Sequence, residues 1–238
     1  GTTGSQTSQH QVVDPGLYEK SFLKAFELFY GHPSRYCILA LLPSYLEREG
    51  SSLVYMAERL IQESKDPESG FFLKDTEKLL DTLASKQSTK TPTILLGVSF
   101  ALLDLAEKHG PGLSGITVME TGGMKGRRRE ITRQELHAIL KKCFKVESIH
   151  SEYGMTELLS QAYSKGNGLF QTPPWMKVLV RDAYDPFAIK KPPASGSLNI
   201  IDLANIHSIS FIETQDIGKI HEDGRFEVLG RMDASDVR

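Results

Sequence analysis

The sequence has few cysteines, little net charge and no long apolar run, and each absence excludes a class of protein. Its two cysteines, Cys37 and Cys143, lie inside apolar patterns, which indicates buried thiols in a reducing compartment rather than a disulfide or a metal site. A formal net charge of −2 gives no reason to expect nucleic acid or an anionic membrane as a partner. Without an apolar run of about 18 residues or a signal-peptide pattern, we expect a cytoplasmic protein with no membrane span.

The first nine residues are rich in Gly, Ser and Thr but lack the G-x-x-x-x-G-K-[ST] spacing of a P-loop. Backbone N–H groups and hydroxyls there are suited to cradling phosphate, although a flexible terminus is the simpler interpretation. The printed sequence opens inside this stretch and stops at Asp236-Val237-Arg238 without a closing element. We therefore expect it to be a piece of a larger protein.

The order of apolar patterns predicts an α/β fold. Of the 238 residues 39% are hydrophobic and 24% charged, as in a soluble globular protein. Strand and helix patterns alternate to about residue 170, and short strands alone follow from Trp175. The sequence thus predicts parallel sheets with flanking helices over 1–170 and a small β subdomain over 171–238. Within the first part, one helix is predicted to open at Gly97 and another at Leu158, Leu159 and Ala162.

The stretch Ser151–Glu157 is the strongest candidate for a ligand loop. Val146–His150 is predicted to be a strand ahead of it, and the turn falls at Gly154. Glycine permits close approach of the backbone, Thr156 offers a hydroxyl, and Glu157 offers a carboxylate to a hard cation such as Mg²⁺. The alternative is structural, because a Thr-Glu pair also caps helices.

A second candidate is the pair Gly122-Gly123, which follows the apolar strand pattern Ile116–Glu120. Ligands of open α/β sheets bind at the carboxyl ends of strands, although a tight turn explains a glycine pair equally well. The nearby cations Lys125 and Arg127–Arg129 are interpreted as a solvated face.

Short motifs in a fixed order resemble those of adenylate-forming enzymes, the superfamily of acyl-CoA synthetases, luciferases and peptide-synthetase adenylation domains. They are G-T-T-G-S at the start, T-G-G, Y-G-M-T-E, T-Q-D, and G-R-M-D at the end. The segment from Leu41 to Met56 is similar in sequence to one branch, the acyl-protein synthetases of bacterial bioluminescence (LuxE-type). The resemblance implies the large N-terminal body of such an enzyme, with its C-terminal lid domain absent.

The resemblance also implies phosphate and metal ligands. Thr156 would contact the α-phosphate and Glu157 would bind Mg²⁺, which makes these two the candidate catalytic residues. The β- and γ-phosphates of ATP would be held by Thr2, Thr3, Gly4 and Ser5.

For the nucleoside, the resemblance implies a second set of residues. Gly122 and Gly123 would pack along the adenine, and Tyr153 and Gly154 would close its other side. Asp216 would accept hydrogen bonds from the ribose hydroxyls, since a carboxylate is a pure acceptor. Arg231 would bind ribose or phosphate, and Asp233 would be the hinge to the lid.

The activity implied by the resemblance is the ATP- and Mg²⁺-dependent conversion of a carboxylic acid, with fatty acids favoured, to an acyl-adenylate. The acyl group would then pass to a thiol, with a protein cysteine preferred over coenzyme A, and an acyl reductase is a possible further partner. The alternatives are an acyl- or aryl-CoA ligase of the same superfamily and a nucleotide-binding relative without catalysis.

Three departures from the family pattern bear on these expectations. Gln6 and Thr7 stand where many relatives carry a lysine, which slightly favours the non-catalytic alternative. Gln215 replaces a glycine in T-G-D. Neither cysteine occupies the place of the acylated cysteine in the bioluminescence branch, so neither is proposed as the acyl acceptor.

Overall fold

The computed structural model describes residues 9–42, 50–123, 129, 131–182, 184–185 and 187–232. Twelve strands in these residues form one continuous mixed sheet in the order β2-β1-β3-β4-β5-β6-β7-β12-β11-β10-β8-β9. The predicted α/β class is confirmed. None of the described helices is long and apolar enough to cross a membrane.

The helices are α1 Pro15–Tyr30, α2 Ser52–Ser64, α3 Thr76–Thr89, α4 Ser99–Lys108 and α5 Arg133–Phe144. The first seven strands are β1 Cys37–Leu41, β2 Gly70–Phe71, β3 Thr93–Val98, β4 Ile116–Thr121, β5 His150–Tyr153, β6 Ala162–Ser164 and β7 Phe170–Gln171. The others are β8 Met176–Arg181, β9 Ile189–Lys190, β10 Ala194–Asp202, β11 Phe211–Ile220 and β12 Phe226–Arg231. Two short 3₁₀ helices span Pro33–Arg35 and Leu203–Asn205.

Strands β1 to β5 form the parallel half of the sheet. β1 and β3 are buried at every residue, as expected of strands covered on both faces. α1 packs on one face of β5, whereas α5 packs on the other face and contacts α4. Thr132 and Glu135 form a capping box at the start of α5, as the sequence predicts. The carboxyl ends of β4 and β5 thereby come together at one edge.

From β6 onward every strand pairing is antiparallel. The turn Glu222–Arg225 joins β11 to β12, with the His221 N–H donating to the Arg225 carbonyl at 2.8 Å. A second apolar cluster fills this half of the molecule; its largest fully buried members are Phe170 and Phe226. The division of the chain into domains at residue 170 stays a prediction.

Three local predictions were wrong. Gly97 lies within β3 and α4 begins at Ser99, because pairing with β4 continues to Val98 opposite Thr121. No helix follows the candidate loop: after a turn, Ala162 opens β6 and pairs with Tyr153 in an antiparallel ladder. The strand ahead of the loop also starts later than predicted, at His150 rather than at Val146.

Candidate active site

Two loops lie side by side where β4 and β5 end. β4 runs into Gly122-Gly123 and β5 runs into Gly154, and the strands pair with Thr121 opposite Glu152. Gly122 has a φ of +67°, a left-handed conformation that glycine adopts without strain. The Ser99 hydroxyl donates to the Gly122 carbonyl at 3.2 Å and fixes this turn. All three glycines are exposed, so the loops present open backbone at this edge.

The segment after Gly154 is a turn. Residues at the end of β10 and in the 3₁₀ helix that follows it hydrogen-bond to this turn. The Leu158 N–H donates to the Met155 carbonyl at 3.1 Å, which closes the turn around Thr156 and Glu157. The Asn205 amide donates to the Glu157 carbonyl at 2.6 Å. The buried Asp202 carboxylate accepts from the Leu159 N–H at 2.8 Å, and from the N–H and hydroxyl of Ser160 at 3.0 and 2.6 Å. The backbone of the turn is therefore fixed.

The side chains of that turn are available to a ligand. Thr156 is exposed and Glu157 half-buried, and neither side chain hydrogen-bonds or ion-pairs with any described residue. Within the same residues, no three His, Cys, Asp or Glu side chains are arranged to hold a metal ion. Mg²⁺ commonly takes one or two protein carboxylates together with substrate phosphates. A single free carboxylate such as Glu157 fits that kind of site.

Tyr153 connects the β5 loop to the predicted ribose residue. Its hydroxyl donates to the Asp216 carboxylate at 2.6 Å, and its ring packs edge-on against Phe170 and Phe226 at centroid distances of 5.9 and 5.7 Å. Burial, reinforced by the Asp216 charge, raises the pKa of Tyr153 above its ordinary value, so the phenol remains a donor. The ring is only 7% exposed, and its predicted contact with adenine stays a prediction.

Asp216 and Arg231 are partners in the β11–β12 ladder, with the Arg231 Nε 3.5 Å from the other Asp216 oxygen. Arg231 is exposed, whereas Asp216 is 7% exposed and is bonded to the protein through Tyr153 and Arg231. The structure therefore brings Asp216 and Arg231 together and links them to Tyr153.

A network that sequence reasoning missed lies on the α5 face of the same edge. The buried Glu120 carboxylate lies 3.1 Å from the Arg133 Nε and 3.5 Å from the His137 Nε2. Burial alone would raise the pKa of Glu120, but the His137 hydrogen bond and the Arg133 charge outweigh it and lower the pKa. Arg133 also donates to the Val228 carbonyl at 2.9 Å and lies over the Phe170 ring, so it ties α5 to the antiparallel half. The sequence signal that could have revealed this network was an acidic residue, Glu120, directly ahead of T-G-G.

Several predicted residues lie outside the described ranges. These are the phosphate-loop candidates Thr2, Thr3, Gly4 and Ser5, the departures Gln6 and Thr7, the cations Lys125, Arg127 and Arg128, and the hinge residue Asp233. Asp202 and Asn205, which hold the Thr156–Glu157 turn, were not found from the sequence. The one sequence signal for these two residues was the position of Asp202, an acid directly after an apolar strand pattern.

Comparison with known proteins gives matches among solved structures. No protein-family model and no curated protein sequence matches the chain. ATP-bound MatB from Rhodopseudomonas palustris aligns with a TM-score of 0.63 at 16% identity, covering 87% of this chain and 42% of that one. O-succinylbenzoate coenzyme A synthetase (MenE) from Bacillus subtilis, in complex with ATP and magnesium ion, aligns with a TM-score of 0.63 at 17% identity, covering 100% and 50%. The luciferase-like enzyme of the mealworm Zophobas morio gives 0.54 at 16%, covering 83% and 50%.

At these identities the likeness is evidence about the fold. The chain spans about half the length of each of these enzymes. Its parallel strands, flanking helices and antiparallel extension correspond to the fold of the large N-terminal body of adenylate-forming enzymes.

Proposed function

We propose that the protein containing this chain activates a carboxylic acid with ATP. The observation that carries the proposal is the grouping at one sheet edge of exposed glycine backbone, the unpaired Thr156 and Glu157 side chains, and the linked pair Asp216 and Arg231. Open backbone and a hydroxyl suit phosphate, and a carboxylate beside a guanidinium suits ribose and phosphate. Among the similar structures, MatB is bound to ATP, and the coenzyme A synthetase MenE is bound to ATP and magnesium, which supports this assignment.

In the proposed reaction a carboxylate oxygen of the acid attacks the α-phosphorus of ATP. The bond between that phosphorus and the bridging oxygen of pyrophosphate breaks, which leaves acyl-AMP and pyrophosphate. Thr156 would hold an α-phosphate oxygen. Glu157 would hold Mg²⁺, and that ion would supply positive charge to neutralise the phosphates. Catalysis depends on positioning and charge neutralisation, so the site needs no protein nucleophile.

The second half-reaction transfers the acyl group to a thiol, and the described cysteines are poor candidates for that thiol. Cys37 is fully buried, and burial raises its pKa to about 11, so it is protonated at neutral pH and unreactive. Cys143 lies on α5 and is half-buried. We propose a cysteine elsewhere in the protein or in a partner, as in LuxE-type acyl-protein synthetases, with coenzyme A as the second candidate. Hydroxylamine-sensitive labelling of protein by radioactive acid, compared with formation of acyl-CoA, distinguishes the two.

The decisive experiment is Glu157→Gln, tested by ATP–pyrophosphate exchange on the full-length protein with a panel of carboxylic acids. The amide keeps the shape of the side chain but loses the charge that a hard cation prefers. We expect exchange to fall by about 100-fold or more, while AMP binding and thermal stability change little. Glu147→Gln is the matched control, because Glu147 is exposed and has no hydrogen bond or ion pair with a described residue.

Two results contradict the proposal. Intact exchange with lost stability would make Glu157 a structural carboxylate. ATP binding without exchange for any acid would favour the non-catalytic relative, the alternative from a different functional class.

A further inference from the structure

A cluster of buried polar side chains lies on the α1 face of the sheet, directly behind the Gly154 loop. We call Glu152, Gln161 and Tyr163 the α1-face cluster; they are 6%, 4% and 2% exposed. Glu152 pairs with Tyr163 across β5 and β6, and paired residues point to the same face. Gln161 lies immediately before β6, and its Cγ and the Glu152 Oε1 both lie close to Gly154. The Thr121 hydroxyl donates to the Glu152 carboxylate from β4.

Two polar atoms of this cluster have no hydrogen-bond partner in the described part of the chain. They are the Gln161 Oε1 and the Tyr163 hydroxyl; the third such atom, the Arg59 Nε, belongs to a guanidinium that bonds through its other nitrogens. Nearly all buried polar groups in folded proteins are paired, since an unpaired one lowers stability. These two atoms, on residues two positions apart, are therefore candidates for hydrogen bonds to a ligand.

The cluster is within reach of the proposed reaction. A Cβ placed on Gly154 would lie 2.6 Å from the Glu152 Oε1 and 3.7 Å from the Gln161 Cγ. Glu152 and Gln161 therefore lie directly against Gly154, in the loop that carries Thr156 and Glu157. On its other side, the Tyr163 ring packs against the rings of Phe29 and Tyr30 at centroid distances of 5.3 and 5.5 Å.

The chemistry of the cluster defines what it would bind. Gln161 Oε1 and the Glu152 carboxylate accept hydrogen bonds, so the ligand group must donate. Burial raises the pKa of Tyr163, and the Glu152 carboxylate raises it further, so the phenol stays protonated and can donate in return. A hydroxyl group satisfies both sides, and an amino group satisfies the acceptors.

We propose that the α1-face cluster is a polar subsite that binds a hydroxyl or amino group on the chain of the acid. The inference rests on the proposed function and adds a substrate class to it: acids with a hydrogen-bond donor on the chain, in preference to plain alkanoic acids.

The test measures pyrophosphate exchange by the full-length protein with alkanoic acids of increasing length and with their hydroxy and amino derivatives. For at least one chain length we expect kcat/KM for a derivative to exceed that for the plain acid about tenfold. Tyr163→Phe and Gln161→Leu should each bring that ratio close to one. The control is Tyr30→Phe: its hydroxyl is already bonded to His150 Nδ1 at 3.1 Å, so the ratio should persist.

A second measurement needs no activity. In the ligand-free protein, Tyr163→Phe should leave the melting temperature unchanged or raise it, whereas Tyr30→Phe should lower it. Preference for plain acids at every length, or a ratio that both variants leave intact, would overturn the inference while the proposed function stood. An equal fall in melting temperature for the two tyrosine variants would also overturn it, because the Tyr163 hydroxyl would then have a protein partner. Absence of exchange with every acid is the separate result that removes the proposed function.

Discussion

The two faces of the sheet at the candidate site carry buried acids on adjacent strands, and the surroundings of these acids differ. On the α5 face, Glu120 meets Arg133 and His137, and every polar group named there is paired. On the α1 face, Glu152 lies beside Gln161 and Tyr163. The Gln161 Oε1 and the Tyr163 hydroxyl have no hydrogen-bond partner among the described residues. The strand register produces this contrast, since Glu120 and Thr121 are neighbours that point to opposite faces.

The contrast separates two uses of buried polarity. A fully paired network fixes the relative position of elements, and Arg133 does so by joining α5 to the Val228 carbonyl in β12. An incompletely paired cluster lowers the stability of the free protein and gains its missing partners only from a ligand. We therefore assign the α5 face to architecture and the α1 face to substrate binding. The predictions below test that assignment from the largest effect to the smallest.

The largest effect is expected for Glu120→Ala. The substitution leaves the Arg133 guanidinium and His137 without their buried acceptor, and breaking a buried ion pair from one side costs about 3–5 kcal/mol of folding free energy. Urea unfolding of Glu120→Ala is compared with that of Asp223→Ala, which removes a surface ion pair with Arg225. The comparison measures the difference in folding free energy between the two variants. A similar small loss in both would show that the network does not hold the α5 face.

Acid should destabilise the protein partly through His150. Burial, with a smaller contribution from Lys165, lowers the His150 pKa from its ordinary 6.5 to about 4 in the folded state. A lowered folded pKa contributes stability above pH 6.5, and that contribution is lost as the pH falls toward 4, on the order of 2–3 kcal/mol in all. His150→Phe should remove this slope, so the stability advantage of the wild type should shrink over that window. A constant difference from pH 7 to pH 4 would contradict the assignment.

Tyr153→Phe should have the next effect. It removes a hydrogen bond to a carboxylate, for which about 1.5–3 kcal/mol is expected, and leaves Asp216 partly unpaired. ATP affinity should fall with it if Asp216 holds the ribose. Tyr36→Phe is the control, because among the described residues the Tyr36 hydroxyl bonds only the Tyr30 carbonyl, at 2.7 Å. Calorimetric titration with ATP would refute the linkage if both variants bound the nucleotide as tightly as the wild type.

The sequence was informative wherever a local pattern decided the structure. β1 and β3 coincide with continuous apolar runs, and α5 begins at a T-x-x-E pattern, so local signals in the sequence account for these elements. The segment after Glu157 was mistaken for a helix because its apolar residues suit either period, and its pairing with β5 is a tertiary fact. Likewise, Asp202 and Asn205 meet the turn across more than 40 positions of sequence, and spacing carries no such information.

The smallest effect is expected from a matched pair of buried amides. Asn205 and Gln161 are 1% and 4% exposed, but the Asn205 amide donates to the Glu157 carbonyl at 2.6 Å and the Gln161 Oε1 has no described partner. In the ligand-free protein, Asn205→Leu should cost about 1–3 kcal/mol, because it leaves a turn carbonyl without its donor. Gln161→Leu should lie within about 0.5 kcal/mol of wild type or be more stable, because it removes an unpaired polar atom. Urea unfolding of both variants tests the assignment of the two faces. A loss of stability in Gln161→Leu as large as that in Asn205→Leu would show that Gln161 is bonded in the folded protein. The α1 face would then have a structural role, like the α5 face.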